Sequence, residues 1–456
     1  MNVNDYIRET DSRSIQAAID AAEKVGDPEV RIPAINKRTG EHVYNIDEVI
    51  LLPSNITIIL ESARLRMTDG AITQIFRNKN AYEEIGTTEE GTQENIHIIG
   101  TGTATLDGGI FNELNEATSC KNGLPSVYEN LMICFFNVRH FSIRGIKILN
   151  QRWWSMAMIY CEYGMITDLE YSITNRDDKL WHNQDGIDIR GGCNNIIIEN
   201  IRGETGDDLI ALTNLLRDGT GISSQMRVKS RKTDIHDISI RNVYGYTTLC
   251  AIIRVLAHYG NKIYNVNIEN IHDTSEVGKH SRSQMIVRIG DEIQHDFKVG
   301  TIPENRTKHG EICNIRIKGV YSRALIAVQT ATTIKNIHVS DIFVHTDGQY
   351  AYYCGYGDLT HREKGIFIPE HEEKQKYCRY KDLDRMEKVD FEEYKCIAEN
   401  VVVENIYHTA KSLCDEENGA VVVFNHADLR NVEIKNVCVD SDLEKIRYRK
   451  CIGKIN

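Results

Sequence analysis

Three aspartates occur in one short stretch of this chain. Asn183-Gln-Asp-Gly-Ile-Asp-Ile189 is followed by Thr205-Gly-Asp-Asp-Leu-Ile-Ala-Leu212, which puts Asp185 and Asp207 22 positions apart with Asp208 beside the second. If 22 residues make one coil of stacked parallel strands, successive coils rise by ~4.8 Å. Asp185, Asp207 and Asp208 then crowd one spot on the wall. Like charges at that range raise at least one pKa, so one carboxyl keeps its proton while its neighbours stay ionised. Hydrolysis of a glycosidic bond needs that asymmetry: an acid for the leaving oxygen and a base for water. Corner residues bonded to backbone N–H groups, or a calcium site, are the plainer alternatives. Three acids in phase with one strand favour catalysis.

Other residues around the acids suit a sugar. Trp153, Trp154 and Trp181 are the only tryptophans, and all border Asp185 in sequence. Sugar C–H faces pack on such rings, although a tryptophan also fills a wide coil corner. His182 and Asn183 stand just upstream of the first acid, and His182 and His258 are the weaker candidates, since a histidine there is more often a satisfied loop residue. Arg254 and Arg288 are planar bidentate donors for a carboxylate or for hydroxyls, with pairing to the aspartates or to Asp188 as the alternative. The loop from Arg217 to Lys232 is basic, through Arg217, Arg227, Lys229, Arg231 and Lys232. It forms one side of a cleft or is only a solvated surface.

The elements that position these residues repeat. A phrase Asn-(Ile/Val)-x-(Ile/Val)-x-(Asn/Gly/Asp)-(Ile/Val) starts at Asn195, Asn265, Asn314, Asn336, Asn400 and Asn431, with Asp237 in place of Asn once. Weaker copies start at Asn55, Asn95 and His140. Each alternates apolar and polar residues, the period of a strand with one buried face. Asparagine tolerates the left-handed corner between strands. A second short strand follows several phrases: Gly186–Arg190, Asp208–Leu212, Ile252–Leu256, Ile286–Gly290 and Leu325–Val328. Coils of roughly 20 to 25 residues with two or three short strands predict an all-β, right-handed parallel β-helix. Residues 11–26 predict an amphipathic helix capping the first coil. It would carry Ile15, Ala18, Ile19 and Ala22 on one face, Ser12 or Ser14 at its start and Gly26 at its end. The whole of 1–456 then reads as one domain, with 348–394 interrupting the repeat as an insertion or long loop.

Composition narrows the field. The chain has 456 residues, is 41% hydrophobic and 26% charged, and carries a net charge of −12. That balance argues against nucleic acid and anionic membrane surfaces as partners, and no apolar run approaches the ~20 residues of a transmembrane helix. The start has no apolar leader region, so a cytoplasmic location is expected. Twelve cysteines without CxxC spacing read as reduced thiols, several in apolar strands such as those of Cys250 and Cys438. No metal and no cofactor is expected, and the oligomeric state is not legible.

The strings Asn183-Gln-Asp185-Gly-Ile-Asp and Gly206-Asp207-Asp208-Leu-Ile-Ala resemble the Asn-Thr-Asp and Gly-Asp-Asp signatures of the polygalacturonase-like glycoside hydrolases, family 28. Asn150-Gln-Arg-Trp-Trp-Ser-Met156 is similar to that family's preceding strand. The resemblance implies Asp207 as general acid, with Asp185 and Asp208 activating water for inversion on a pectin-type substrate. Two elements depart from the family. With Ile187/Ile189, Ile210/Leu212, Ile253/Val255 and Val287/Ile289 as the inward pairs, the family's His-Gly falls at Ala251-Ile252. Its Arg-Ile-Lys falls at Arg288-Ile289-Gly290. The histidine and the lysine are therefore absent, which leaves room for another or a neutral sugar. An oligosaccharide is the expected partner, with exo-action on short chains if the protein is cytoplasmic. Two alternatives stand: a calcium-assisted polysaccharide lyase on the same scaffold, and a non-catalytic glycan-binding β-helix.

Overall fold

A computed structural model of the protein describes residues 1–115, 118–174, 183–215, 226–248, 250–276, 283–290, 307–345, 348–355, 395–409, 420–453 and 455. Trp181, His182 and Arg217 lie outside the described residues, as does the predicted insertion from 356 onward. The described residues form two compact units. The first holds those up to 174 together with 183–210 and 226–239, and the second holds 211–215 and everything from 240 onward.

The first unit stacks two parallel sheets. The longer strands run in the order Glu29–Pro33, Ile56–Glu61, Gln93–Thr101, Val138–Leu149, Glu162–Ser172 and Asn194–Thr205. The shorter ones are Ile50–Leu52, Phe76–Asn78, Ile133–Phe136, Met156–Ile159 and Ile187–Arg190. Phe135 of the short sheet meets Phe141 of the long one edge to face, ring centroids 5.8 Å apart, inside the coil. The second unit repeats the plan. Its long sheet has Ile263–Asp273, Ile312–Ser322, Ile334–Val344, Cys396–His408 and Ala427–Val439. Its short sheet has Ala251–Ala257, Met285–Ile289, Ile326–Thr330, Tyr350–Gly355, Ala420–Asn425 and Glu444–Arg449. The fold is a parallel β-helix.

The corners follow the repeat. Every phrase-opening residue from Asn55 to Asn431, His140 and Asp237 included, has a φ between +53° and +60°. Their amides form ladders from coil to coil: Asn336 donates to Asn314 at 2.9 Å, Asn400 to Asn336 at 2.9 Å and Asn431 to Asn400 at 2.9 Å. The coil at Glu162–Ser172 carries no such phrase because its corner residue, at φ +54°, is Tyr163, stacked on His140 at 5.1 Å.

The structure corrects several expectations. The helix spans Asp11–Val25 and buries Ile15, Ala18, Ile19 and Ala22, but its cap is Thr10, whose Oγ1 accepts the Arg13 N–H at 3.2 Å. Ser12 bonds Asp47 instead, and Ser14 donates to the Thr10 carbonyl. Tyr350–Gly355 is a strand, so the repeat continues through Gly355. Cys438 is exposed, whereas Cys250 is buried as read.

One contrast between the sheets matters for function. Long strands alternate buried and exposed residues, as in Val138–Leu149. The short strands Ile133–Phe136, Met156–Ile159 and Ile187–Arg190 are buried on both faces. Their outer face is covered by an apolar cluster that includes Tyr128, Trp153, Trp154, Met226 and Val228.

Candidate active site

The three aspartates lie in the first unit, and the backbone brings them together. The residues on either side of Asp185 both bond the Gly206–Asp208 segment. The Gln184 carbonyl accepts the N–H groups of Gly206 at 3.1 Å and Asp207 at 3.4 Å, and the Gly186 N–H donates to the Asp208 carbonyl at 2.9 Å. Asp185 therefore faces the Asp207–Asp208 pair rather than Asp207 alone, a refinement of equal 22-residue spacing. Asp185, Asp207 and Asp208 are 5 %, 5 % and 3 % exposed. The Asp207 Oδ1 accepts the Asp208 N–H at 3.0 Å, and the Thr205 hydroxyl donates to the Asp207 carbonyl at 2.6 Å. Three carboxylates withdrawn from water in one place are costly unless each holds a proton or a specific partner.

The preceding coil holds Asp185 from the other side. Ser155 N–H donates to the Asp185 carbonyl at 2.9 Å. Ser155 Oγ donates to the Gly186 carbonyl at 2.5 Å and lies 3.1 Å from the Tyr171 hydroxyl, which thus acts as its donor. Burial pushes the Tyr171 phenol well above its ordinary range, against a lowering from Ser155, so it stays protonated. Gln151 and Gln184 bond each other's carbonyls through their side-chain amides, at 3.2 and 2.7 Å. These four residues fix the peptides flanking Asp185. Neither pair was singled out from sequence, because polar side chains satisfied inside a coil leave no periodic mark.

Trp153 and Trp154 stack on each other with centroids 3.9 Å apart, and Tyr128 meets both edge-on. At 3 % and 7 % exposed they are packed into the outer apolar cluster. Asn183 is half-buried on the chain leading to Asp185. Of the basic loop, Arg231 is committed elsewhere: it pairs with Glu162 and donates to Asn137 Oδ1 at 2.8 Å and the Tyr160 carbonyl at 3.2 Å. Arg227, Lys229 and Lys232 are exposed.

Asp188 and Arg190 point outward from the strand Ile187–Arg190, whose Ile187 and Ile189 fill the interior. Arg190 was read only as part of that strand. Its guanidinium carbon lies 4.7 Å from the centroid of the Trp154 ring.

In the second unit, Arg254 and Arg288 are register partners on neighbouring strands, with Ile253 opposite Val287 and Val255 opposite Ile289 as expected. Both are buried, and Arg254 Nη1 lies 3.3 Å from Cys250 Sγ. His258 is partly exposed there, and its N–H donates to the Asn214 carbonyl at 3.1 Å.

Residues 66–222 match the model of the glycosyl hydrolases family 28. The family 28 stretch contains the Asn150–Met156 segment and all three aspartates. No curated protein matches the chain. Among solved structures, the surface adhesin PfbA of Streptococcus pneumoniae is similar at 13% identity, over 99% of this chain and 91% of that one, with a TM-score of 0.54. A polygalacturonase from Erwinia carotovora is similar at 13% identity, over 99% and 94%, with a TM-score of 0.48. A family 28 exopolygalacturonase of Yersinia enterocolitica gives 14% identity, over 99% and 76%, and a TM-score of 0.45. At such identities, the likeness to the adhesin bears on the β-helix fold alone.

Proposed function

We propose that this chain is an inverting glycoside hydrolase that cleaves a pectin-type oligosaccharide from within its first unit. The observation that carries the reading is the backbone pairing that sets Asp185 against Asp207 and Asp208, three buried carboxylates inside the family 28 match. In this reading Asp207 holds the proton and gives it to the leaving glycosidic oxygen. Asp185 and Asp208, ionised, draw a proton from the water that attacks the anomeric carbon from the opposite face. The Ser155–Tyr171 and Gln151–Gln184 pairs keep the acid-bearing peptides fixed while charge moves.

A second reading, a β-helix that binds glycans without cleaving them, is favoured by one observation: the family's His-Gly is replaced by Ala251-Ile252. Product analysis on galacturonate and neutral oligosaccharides separates the two. New reducing ends that disappear in Asp207→Asn support hydrolysis. Binding without cleavage supports the second reading, and a calcium-dependent unsaturated product means a lyase.

A further inference from the structure

Arg190 is 6 % exposed, yet among the described residues it donates no hydrogen bond and joins no ion pair. Its Nε is enclosed without an acceptor, and its one contact of note is the Trp154 ring. An indole face attracts the charge but accepts none of the five N–H bonds that a guanidinium offers in a fixed plane. Enclosing the Nε–H with no acceptor among the described residues costs free energy, whereas Nη1 and Nη2 are not enclosed in this way and can meet a ligand. The arginine stands on the strand that follows Asp185 directly, two residues after Asp188 on the same outward face. Trp153 stacks on Trp154, and among the described residues the indole N–H groups of both are also buried without acceptors.

We propose that Arg190 is a binding residue for the carboxylate of a uronic-acid-containing oligosaccharide. The planar fork takes the carboxylate in two hydrogen bonds while the guanidinium stays seated on Trp154. The assignment rests on the glycoside-hydrolase reading for the rest of the sugar chain, but its test does not require turnover.

The test uses the Asp207→Asn protein, titrated calorimetrically with trigalacturonate and with the same trimer fully methyl-esterified. Adding Arg190→Gln should weaken the acid trimer by roughly thirtyfold or more, leave the ester within about twofold, and erase the preference for the acid. Arg190→Lys, which keeps the charge without the fork, should fall between. Tryptophan emission of the otherwise unaltered Asp207→Asn protein gives a second readout that needs no change at Arg190. The acid trimer should shift it, the ester should not, and Trp154→Phe should abolish the shift. Equal losses for both trimers, an unchanged preference in Arg190→Gln, or no binding of the acid trimer would overturn the assignment. Cleavage that needs Asp207 alongside an unaltered preference in Arg190→Gln defeats this proposal alone. Carboxylate binding through Arg190 in a protein that cleaves nothing defeats the hydrolase reading alone.

Discussion

The Gly186 N–H donates to the Asp208 carbonyl at 2.9 Å, and this bond ties the coil carrying the first aspartate to the coil carrying the other two. It is possible only because residue 186 has no side chain. A Cβ there would lie 2.3 Å from the Leu209 carbonyl oxygen and 3.2 Å from Leu209 Cδ1. Gly186→Ala must push the two strands apart. A shift of about 1 Å between catalytic groups costs on the order of 100-fold in rate, so kcat should fall by that much with a smaller change in KM. Steady-state kinetics beside a thermal melt check this, and a near-normal kcat would show that the spacing of the two coils is not critical.

The Ser155 and Tyr171 hydroxyls act as a unit on the Gly186 carbonyl. Tyr171→Phe should cost about 1 kcal/mol of stability. Ser155→Ala should cost about 1–3 kcal/mol, because it strands the buried phenol and leaves the Gly186 carbonyl only its longer bond from the Met156 N–H at 3.3 Å. The double variant should then be less destabilised than the sum of the singles, by about 0.5 kcal/mol or more. Denaturant titration of the four proteins gives the coupling, and strict additivity would mean that the two hydroxyls do not cooperate.

In the second unit, Asn336 sits at φ +55° and links the amides of Asn314 and Asn400. Asn336→Ala should destabilise by about 1–2 kcal/mol, chiefly from the left-handed backbone. Asn336→Gly should recover most of that, since glycine adopts the conformation freely. Equal losses in both variants would assign the effect to the amide ladder instead.

His408 makes stability depend on pH. Its Nε2–H donates to the Gln349 carbonyl at 2.6 Å, while the unprotonated Nδ1 is buried with no donor among the described residues. Burial lowers its pKa, opposed by the Gln349 bond. The folded value therefore lies below the unfolded one, near ~6.5. Above the unfolded value both states are neutral and nothing is lost. As pH falls from there toward the folded value, protonation favours the unfolded chain and stability drops. His408→Gln should flatten denaturation midpoints measured between pH 7.5 and 5.5, and NMR titration should show His408 neutral below its ordinary range. A His408 that titrates at its ordinary pH would contradict this.

The fold was legible because its corners are chemically marked. A left-handed residue in nearly every coil selects asparagine, and that spacing exposes the period. Where Tyr163 fills the corner, the coil went unseen, since nothing in a tyrosine announces positive φ. The acids were legible because charged residues interrupt an apolar alternation at Asp185 and at Asp207–Asp208. The surroundings were not. Whether Trp153 and Trp154 face ligand or packing depends on how Tyr128, Met226 and Val228 fold over the short sheet, a long-range event without a local signature. Arg190 looked like any outward polar residue of a strand until the outer face proved to be covered.

The most direct test of the central claim is the anomeric configuration and rate of product release from galacturonate oligomers, wild type against Asp207→Asn. The asparagine keeps an Oδ1 to accept the Asp208 N–H, so the fold should survive while the proton donor is lost. The account predicts that the wild type releases product of inverted configuration and that the variant is slower by on the order of 10² to 10⁴. Retained configuration, or a variant as fast as the wild type, would contradict it.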